Sequence, residues 1–461
     1  MSERSLPNII YVMADDMGYG DLGCYGATKI PTPNIDRLAG QGVCMMDAHS
    51  ASAVCTPSRY SVLTGRYCWR SRLKRWVLWG FEPPLIEPER LTLASMLRQS
   101  GYATAAIGKW HVGLQWTTKD GDEPLPDGAN VDYAVPVQGG PNDLGFDQSF
   151  VITGSLDMAP YCFVENSRAV GLPMTPKKKY EPQQRSGLQA TGWKDDTVDV
   201  TFAEKAVAFI DQHVSGKPDQ PCFLYLTPSA PHRPCVPPEF AAGASQAGMR
   251  GDMVTVVDWM VGQVDEALTR NGIAGDTLVM VTSDNGARAV NYDGNDYGHH
   301  SCGALRGQKA DIWDGGHREP LVIRWPGKVA AGTQCDALVG LVDVMATCAE
   351  IVGYDLGEGQ APDSQSMLGV LTGQQSHGRD SLVHHSGGGM FAVRQGDWKL
   401  ALGLGSGGFS QPVYEHPEPG GPMGQLYNMG SDTAEQSNKW LGRPDVVERL
   451  RQTLEDSFSQ N

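Results

Sequence analysis

A cysteine at the predicted start of a helix is the first feature of this 461-residue chain that could do chemistry. It stands in the segment Cys55-Thr56-Pro57-Ser58-Arg59. Thr56 is a good N-cap and Pro57 a good first helical residue, so Cys55 is predicted just before a helix N-terminus. The free N–H groups and the dipole of that terminus favour an anion. Taken alone, a buried cysteine that only packs is the commoner case, so the interpretation depends on its neighbours.

Carboxylate and amide side chains follow two of the predicted strands. Asp15 and Asp16 come directly after one apolar run, and Asp284 and Asn285 follow another. Because the carboxyl ends of parallel strands gather at one edge of a sheet, these side chains are expected to meet there. Their oxygens are hard ligands, suited to Ca²⁺ or Mg²⁺. Either pair alone is often only turn chemistry, but both pairs together with Cys55 predict a metal site.

Seven motifs occur in the order in which one enzyme family carries them. They span residues 15–21 (DDMGYGD), 31–39 (PTPNIDRLA), 55–59 (CTPSR) with 63–66 (LTGR), 108–111 (GKWH), 230–232 (APH), 283–286 (SDNG) and 307–309 (GQK). Together they resemble the type I sulfatases, the formylglycine-dependent enzymes of the alkaline phosphatase superfamily. The resemblance covers at least residues 8–324, and beyond them only the segment 394–400 (RQGDWKL) is familiar.

The resemblance implies a chemical change at Cys55. In that family a maturation enzyme oxidises the cysteine to formylglycine, and the hydrated aldehyde attacks the sulfur of a sulfate ester. The resemblance also implies Ca²⁺, with Mg²⁺ the less favoured ion, bound by Asp15, Asp16, Asp284 and Asn285. An oxygen of the modified Cys55 would complete the metal's ligands.

Roles for the cationic side chains follow from the same resemblance. Lys109 would contact both the sulfate and the modified Cys55, and Lys309 would be the second ligand of the sulfate. Arg59, on the first turn of the predicted helix, would orient the nucleophile and offset its charge. The ordinary alternative for Lys309 is a solvated surface lysine.

Two histidines and a serine complete the implied catalytic set. His111 lies two residues after Lys109, so both side chains would share a face of an extended strand end. By resemblance His111 would help deprotonate the nucleophile when sulfate is released, and Ser155 would be its hydrogen-bond partner. His232 would be the general acid for the departing alcohol. Without the family, a loop histidine that caps a backbone carbonyl explains His232 equally well.

A basic and aromatic segment, residues 66–79, follows the predicted helix of Cys55 and predicts substrate contacts. Cations beside aromatic rings can bind a sulfated sugar by stacking and charge pairing, although a solvated basic stretch explains the pattern equally well.

The motif of Lys309 continues to Trp313-Asp314-Gly315-Gly316, where the family often has glutamate in place of Asp314. The candidate substrate contacts are Ser155, Arg70, Arg72, Arg75, Trp76, His300, Arg306 and His317.

Apolar runs that alternate with helix patterns predict the elements that position these residues. The predicted strands are 8–14, 102–108, 221–227, 277–282 and 321–325, and the predicted helices begin at Pro33 or cover 92–100 and 198–213. This alternation predicts an α/β fold with a large mixed, mostly parallel sheet between layers of helices. The Gly- and Pro-rich segments 120–141 and 172–193 are predicted to be surface loops.

The last part of the chain has a different pattern. The runs 382–385, 390–394 and 398–402 predict antiparallel strands, and Val446, Leu450, Leu454 and Phe458 fall on one face of a predicted helix. We therefore predict a catalytic α/β domain over residues 1–370 and a smaller C-terminal α+β domain, which contains an antiparallel sheet, over residues 371–461.

Composition restricts the partners. The formal net charge of −16 disfavours nucleic acid, which requires a basic surface. No apolar run reaches the roughly 18 residues of a membrane span, so no membrane partner is expected. The sequence as written lacks the pattern of a signal peptide and predicts a cytoplasmic protein, or a periplasmic or secreted one if a native leader was removed. The ten cysteines lack paired spacing and are predicted to be mostly buried free thiols.

The leading hypothesis is hydrolysis of sulfate esters, most of all on a sulfated carbohydrate, with aryl sulfates as surrogates. A phosphate or phosphonate ester hydrolase of the same superfamily is one alternative, because the metal and the cations suit either anion. A noncatalytic binder of sulfated glycans is another, and it requires an unmodified Cys55. The complete set of polar residues favours the enzyme.

Overall fold

A ten-stranded mixed sheet forms the centre of the protein in a computed structural model that describes residues 6–288 and 294–459. The strands in these residues are β1 (Asn8–Ala14), β2 (Val43–Met45), β3 (Ala48–His49), β4 (Ala103–Lys109), β5 (Gln148–Ile152), β6 (Phe163–Glu165), β7 (Arg168–Val170), β8 (Pro173–Pro176), β9 (Leu188–Ala190), β10 (Cys222–Thr227), β11 (Thr277–Ser283), β12 (Leu321–Arg324), β13 (Thr333–Cys335), β14 (Val339–Gly340), β15 (Ser381–His385), β16 (Phe391–Gln395), β17 (Trp398–Ala401) and β18 (Gln425–Asn428). The helices are α1 (Pro33–Gly40), α2 (Cys55–Thr64), α3 (Leu93–Gln99), α4 (Val198–Gly216), α5 (Gly248–Arg270), α6 (Val344–Val352), α7 (Leu368–Leu371) and α8 (Pro444–Ser459).

The order of the strands in the large sheet is β13-β2-β12-β11-β1-β10-β4-β5-β6-β7. The five strands from β11 to β5 in this order run parallel to one another. Strand β12 is antiparallel to both of its neighbours, and β6 and β7 add an antiparallel edge. The predicted class, a mixed and mostly parallel sheet, is confirmed.

Helices cover both faces of the large sheet because its central strands are apolar on both sides. Along β1, Ile9, Tyr11 and Met13 join one buried cluster, whereas the alternate residues join the other. Helices α2, α3 and α6 pack on the first face, and α1, α4 and α5 pack on the second. A strand that is buried on both faces has a continuous apolar sequence, and for this reason the sequence predicts β1 and β11.

The C-terminal part forms a four-stranded antiparallel sheet in the order β15-β16-β17-β18. Helix α8 packs on it through Val446, Leu450 and Leu454. The same cluster contains Tyr67 and Trp69 of the preceding part of the chain, so the C-terminal sheet packs against that part through apolar side chains. The division at residue 370, which falls inside α7, stays a prediction.

One prediction about local structure is corrected by the structure. The segment 172–193, predicted to be a loop, contains the hairpin of β8 and β9. Both strands are short; β8 is largely exposed and β9 is only partly buried, so neither has an apolar pattern that a sequence could show. All ten cysteines are free, as predicted. Within residues 6–288 and 294–459, no helix combines the length and apolarity needed to cross a bilayer.

Stability is expected to fall in acid through His385 at the end of β15. The buried ring donates its Nδ1–H to the Ser386 carbonyl at 2.9 Å. Burial lowers the pKa of His385 to about 4, so the unfolded chain, with an ordinary pKa of about 6.5, takes up the proton first. Stability is therefore lost as the pH falls between these values.

We expect the free energy of unfolding of the unmodified protein to fall by about 3 kcal/mol more than that of His385→Asn between roughly pH 7 and pH 4. The asparagine amide nitrogen can replace Nδ1 as a donor but does not titrate. Urea denaturation of both proteins at both pH values measures the difference. An equal fall in the two proteins would contradict the assignment.

Candidate active site

Cys55 is itself the first residue of α2, with Val54 as the N-cap. The predicted N-cap, Thr56, is wrong: its side chain lies one residue inside the helix and accepts a hydrogen bond from the Leu78 N–H at 3.2 Å. Cys55 is buried, and its Sγ lies 3.4 Å from Asp15 Oδ1. The thiol therefore stands at the helix N-terminus, beside a carboxylate.

Three carboxylates converge on this thiol from the ends of β1 and β11. Ligand atoms of Asp15, Asp16, Cys55 and Asp284 all lie within 4.8 Å of one another, and all four residues are buried. The Asn285 amide joins them by donating to Asp16 Oδ1 at 2.8 Å. The sheet edge thus brings together the residues that were predicted to bind metal.

This set of donors fits a hard divalent cation. In the described part of the chain, the buried atoms Asp16 Oδ2 and Asn285 Oδ1 have no hydrogen-bond partner. Leaving such oxygens unpaired in the interior is costly unless a cation binds them. Carboxylate and amide oxygens are the ligands that Ca²⁺ and Mg²⁺ prefer.

Arg59 holds this carboxylate cluster in place. Its Nε and Nη2 donate to Asp284 Oδ2 at 2.9 and 2.7 Å, and its Nη1 donates to the Lys109 carbonyl at 2.9 Å. Because the guanidinium fork binds a carboxylate in a fixed plane, Arg59 orients Asp284. Position 286, directly after Asp284 and Asn285, requires glycine because a Cβ there would lie 1.9 Å from the Gly315 carbonyl oxygen.

Two lysines lie against the same carboxylates. Lys109 Nζ is 2.7 Å from Asp15 Oδ2, and Lys309 Nζ is 2.6 Å from Asp16 Oδ1 and 3.4 Å from Cys55 Sγ. Burial alone would raise the pKa of Asp15, yet the Lys109 ammonium and the other nearby cations hold it well below its usual range. The carboxylate therefore stays ionised, and both ammonium groups lie beside the reactive position.

His111 is placed just beyond the end of β4, in the left-handed region with φ of 57°. The backbone thus turns at His111 and does not continue as the extended strand end that was predicted for Lys109 and His111. Its Nε2 lies 2.9 Å from the Leu78 carbonyl, which can only accept, so Nε2 carries the proton and Nδ1 has a free lone pair. Burial, with the Lys109 charge, lowers the pKa of His111 well below its ordinary value. His111 is therefore a neutral base.

The predicted bond between Ser155 and His111 is absent from the described residues, because His111 Nδ1 has no hydrogen-bond partner there. Ser155 lines the same cavity as His111 without contacting its nitrogen. Ser155 therefore lies near His111, as the sequence predicts, but its side chain does not make the predicted hydrogen bond.

His232 lies in the loop after β10. Asp199 fixes this loop because its two carboxylate oxygens accept from the Ser229 N–H and hydroxyl, each at 2.7 Å. His232 Nδ1 lies 2.8 Å from the Arg233 carbonyl, so Nδ1 donates to that oxygen. Nε2 is 3.8 Å from Asp16 Oδ2 and faces the cluster. The histidine does cap a carbonyl, as the ordinary interpretation predicted, but it also presents Nε2 to the site.

A cavity of about 740 Å³ opens over this cluster. Its lining includes five of the predicted site residues: Cys55, His111, Ser155, His232 and Lys309. The predicted substrate contact Trp76 also lines it. The cavity is therefore the place where a substrate meets the reactive residues.

Sequence reasoning missed several residues of the cavity wall. Asp157, Arg185, Arg288 and Phe409 all line it. Asp157 stands two residues after Ser155 but belongs to none of the seven motifs. Phe409 comes from the loop between β17 and β18 and carried no motif. Its ring stacks on Trp76 with the centroids 5.8 Å apart.

Three predicted substrate contacts lie elsewhere in the structure. Arg70 pairs with Asp363 at 2.8 Å near α8, away from the cavity. Arg306 stacks on Trp313 and donates to the Glu435 carbonyl at 2.6 Å.

His317 is fully buried, with its ring nitrogens beside the Ile312 carbonyl and His49. For all three, the hydrogen-bonding groups are already engaged within the protein, so direct substrate contact is not supported. Arg72, Arg75 and His300 also lie outside the residues described as lining this cavity, and Arg72 lines an adjoining one.

Known proteins resemble the chain along nearly its whole length. The profile of the family described as Sulfatase matches residues 7–354. The N-acetylgalactosamine-6-O-sulfatase of Bacteroides thetaiotaomicron is 35% identical, with 97% of this chain and 92% of the relative covered. Human steryl-sulfatase is 31% identical, with 85% of this chain and 74% of the relative covered.

A solved structure carries the same fold. It is a Bacteroides thetaiotaomicron protein from work on the metabolism of multiple glycosaminoglycans, with a TM-score of 0.86 and 32% identity. The match covers 98% of this chain and 99% of that one. The chain therefore belongs to the sulfatase family and is a sulfuric ester hydrolase.

Proposed function

We propose that this sulfatase removes sulfate from a carbohydrate, with residue 55 acting as formylglycine. The observation that carries the proposal is the position of Cys55 Sγ, 3.4 Å from both Asp15 Oδ1 and Lys309 Nζ at the floor of the cavity. A nucleophile at that position would have carboxylate ligands for a metal on one side and a cation for sulfate on the other.

The environment of Cys55 supports its modification. Burial raises the pKa of the Cys55 thiol, so an unmodified cysteine would remain protonated and a poor nucleophile. Oxidation by a maturation enzyme would supply a hydrated aldehyde with two hydroxyls. One can attack sulfur, and the other, on losing its proton, can expel sulfate and restore the aldehyde. The maturation enzyme is accordingly a required partner.

The metal in this proposal is Ca²⁺, held by Asp15, Asp16, Asp284 and Asn285. When bound, the ion would act as a Lewis acid toward the sulfate oxygens and the nucleophile. The two buried oxygens without partners, Asp16 Oδ2 and Asn285 Oδ1, support this assignment.

Sulfate would be held by the two lysines. Lys109 and Lys309 approach the carboxylate cluster with short contacts of 2.7 and 2.6 Å. Fixed ammonium groups stabilise negative charge as it develops on the sulfate oxygens, and burial strengthens the effect. Arg59 acts through Asp284 and the Lys109 carbonyl, so it is a positioning residue in this proposal.

Proton transfer would be divided between the two histidines. His232, with a proton on each ring nitrogen, would keep Nδ1–H on the Arg233 carbonyl and give the proton of Nε2 to the ester oxygen as the sulfur–oxygen bond breaks, so that the sugar leaves as an alcohol. His111, which is neutral and has a free Nδ1, would accept the proton that residue 55 must lose before sulfate is released. Both rings line the same cavity as Cys55.

A sugar is the best supported carrier of the sulfate. A relative that shares 35% identity over 97% of the chain is named an N-acetylgalactosamine-6-O-sulfatase. The cavity presents the aromatic rings of Trp76, Trp79 and Phe409 beside Arg185 and Arg288. Aromatic faces pack against the C–H face of a sugar, and the guanidinium groups can pair with its anionic substituents.

Replacing Cys55 by alanine is expected to abolish hydrolysis of 4-nitrophenyl sulfate, since no nucleophile remains. The matched control Cys335→Ala, at a partly exposed thiol outside the cavity, should keep full activity. Mass spectrometry of the peptide that contains residue 55 should show conversion of thiol to aldehyde in active protein. Activity in Cys55→Ala, or a higher kcat/KM on 4-nitrophenyl phosphate than on the sulfate, would contradict the proposal.

Removal of a metal ligand is expected to remove the ion. Asp16→Ala should weaken Ca²⁺ binding at least about 100-fold, because it deletes both a ligand and a paired charge. Calorimetric titration and elemental analysis of the purified protein measure the loss. The exposed carboxylate in Asp219→Ala provides the control and should leave binding unchanged. Undiminished Ca²⁺ binding in Asp16→Ala would disprove the assigned ligand set.

Loss of the general acid should depend on the leaving group. His232→Ala is expected to lower kcat/KM on a sugar sulfate by about 10²–10⁴-fold, because a sugar alkoxide leaves poorly without a proton. Hydrolysis of 4-nitrophenyl sulfate should fall much less, since nitrophenolate needs no protonation. The exposed His377→Ala is the control. Equal losses on both substrates would exclude His232 as the acid.

A further inference from the structure

We infer that a second cavity beside the active site is a subsite for the neighbouring sugar of an oligosaccharide substrate. This inference rests on the proposed function, because it assigns the rest of the same substrate chain. It also states that the enzyme recognises at least two sugar units rather than an isolated sulfated sugar.

The two cavities are adjacent and share part of their lining. The second has a volume of about 890 Å³, compared with about 740 Å³ for the cavity over Cys55. Trp79, Met158 and Arg185 line both, so these three side chains form the wall between them. Each volume alone lies within the range of about 300–1,000 Å³ that holds a complete small ligand. A single sulfated sugar with its sulfate at Cys55 would lie in the first cavity and leave the second open.

The shared wall is held rigid. The Arg185 guanidinium lies 4.3 Å from the centroid of the Trp79 ring, and its Nη1 is 2.6 Å from Asp157 Oδ2. Asp157 is buried, so the ion pair fixes the guanidinium against one face of the ring. Trp79 nevertheless remains 52% exposed. A rigid aromatic surface between two cavities is suited to stacking of a sugar ring.

The backbone next to this tryptophan is also fixed. Gly80 lies so close to the 159–160 segment that a Cβ would be 1.8 Å from the Ala159 carbonyl oxygen. The Trp79 N–H donates to Glu82 Oε2 at 2.5 Å. These contacts fix the backbone that carries Trp79, and the Arg185 guanidinium packs against its ring, so little ordering of the wall is needed when a substrate binds.

The chemistry of the second cavity fits a sugar. Phe81, Pro124 and Pro126 contribute apolar surface, while Arg72, Glu123 and Asp127 contribute polar groups. The Arg72 guanidinium is fixed by its Nη2, which donates to the Pro83 and Pro84 carbonyls at 2.5 and 3.2 Å. Apolar walls with a few placed carboxylates and a guanidinium match the C–H faces and hydroxyls of a sugar ring.

Filling the second cavity tests the inference. Ser186 is exposed and lines the second cavity but not the first, so Ser186→Trp places a ring in the subsite. The probes are 4-nitrophenyl sulfate, N-acetylgalactosamine 6-sulfate and a chondroitin 6-sulfate tetrasaccharide. We expect the unmodified enzyme to show kcat/KM about tenfold or more higher on the tetrasaccharide than on the monosaccharide. Ser186→Trp should abolish that preference and leave the rates on the two small probes unchanged.

Controls separate the possible failures. Ser186→Ala should retain the preference, and Pro126→Trp, which enters the cavity from another wall, should remove it even if Ser186→Trp folds poorly. An unmodified enzyme without preference for the tetrasaccharide, or a preference that survives both tryptophan variants, overturns the subsite. Activity on 4-nitrophenyl sulfate with none on either sugar probe would instead overturn the proposed carbohydrate function, and the subsite with it.

Discussion

The pairing of buried carboxylates with buried cations is the interaction on which the rest of the site depends. Asp15, Asp16 and Asp284 are crowded at one sheet edge, where burial penalises their charges and they repel one another. Arg59, Lys109 and Lys309 offset this cost through contacts of 2.6 to 2.7 Å. The same contacts orient the oxygens and bring two ammonium groups to the reactive position, so stability and function rest on one network.

The C-terminal sheet takes part in the site rather than merely packing beside it. Asp311, two residues after Lys309, accepts hydrogen bonds from the N–H groups of Phe409 and Ser410 at 2.7 and 3.0 Å. Lys399 of β17 donates to the buried Asp314 at 2.7 Å. The loop that carries Lys309 is therefore tied to the C-terminal sheet at two points, and Phe409 forms part of the cavity wall.

The net charge of the chain does not predict the charge of the residues around the cavity. The chain carries a net charge of −16, yet the cavity presents Lys309, Arg185, Arg233 and Arg288. Long-range repulsion from the acidic surface is screened within about 10 Å at ordinary ionic strength, whereas buried charges at short range are not. The local arrangement of cations, not the net charge, therefore determines which anion the protein accepts.

The sequence by itself determined the parallel sheet, the residues at its strand ends and the candidate metal and nucleophile positions. These follow from local patterns: apolar runs that are buried on both faces, and polar residues directly after them, as in β1 with Asp15 and Asp16. Only the tertiary structure decided which side chains reach the cavity. It placed Asp157, Arg185 and Phe409 there and directed Arg70, Arg306 and His317 into internal pairs. Those outcomes depend on contacts between segments far apart in the chain, which no local pattern encodes.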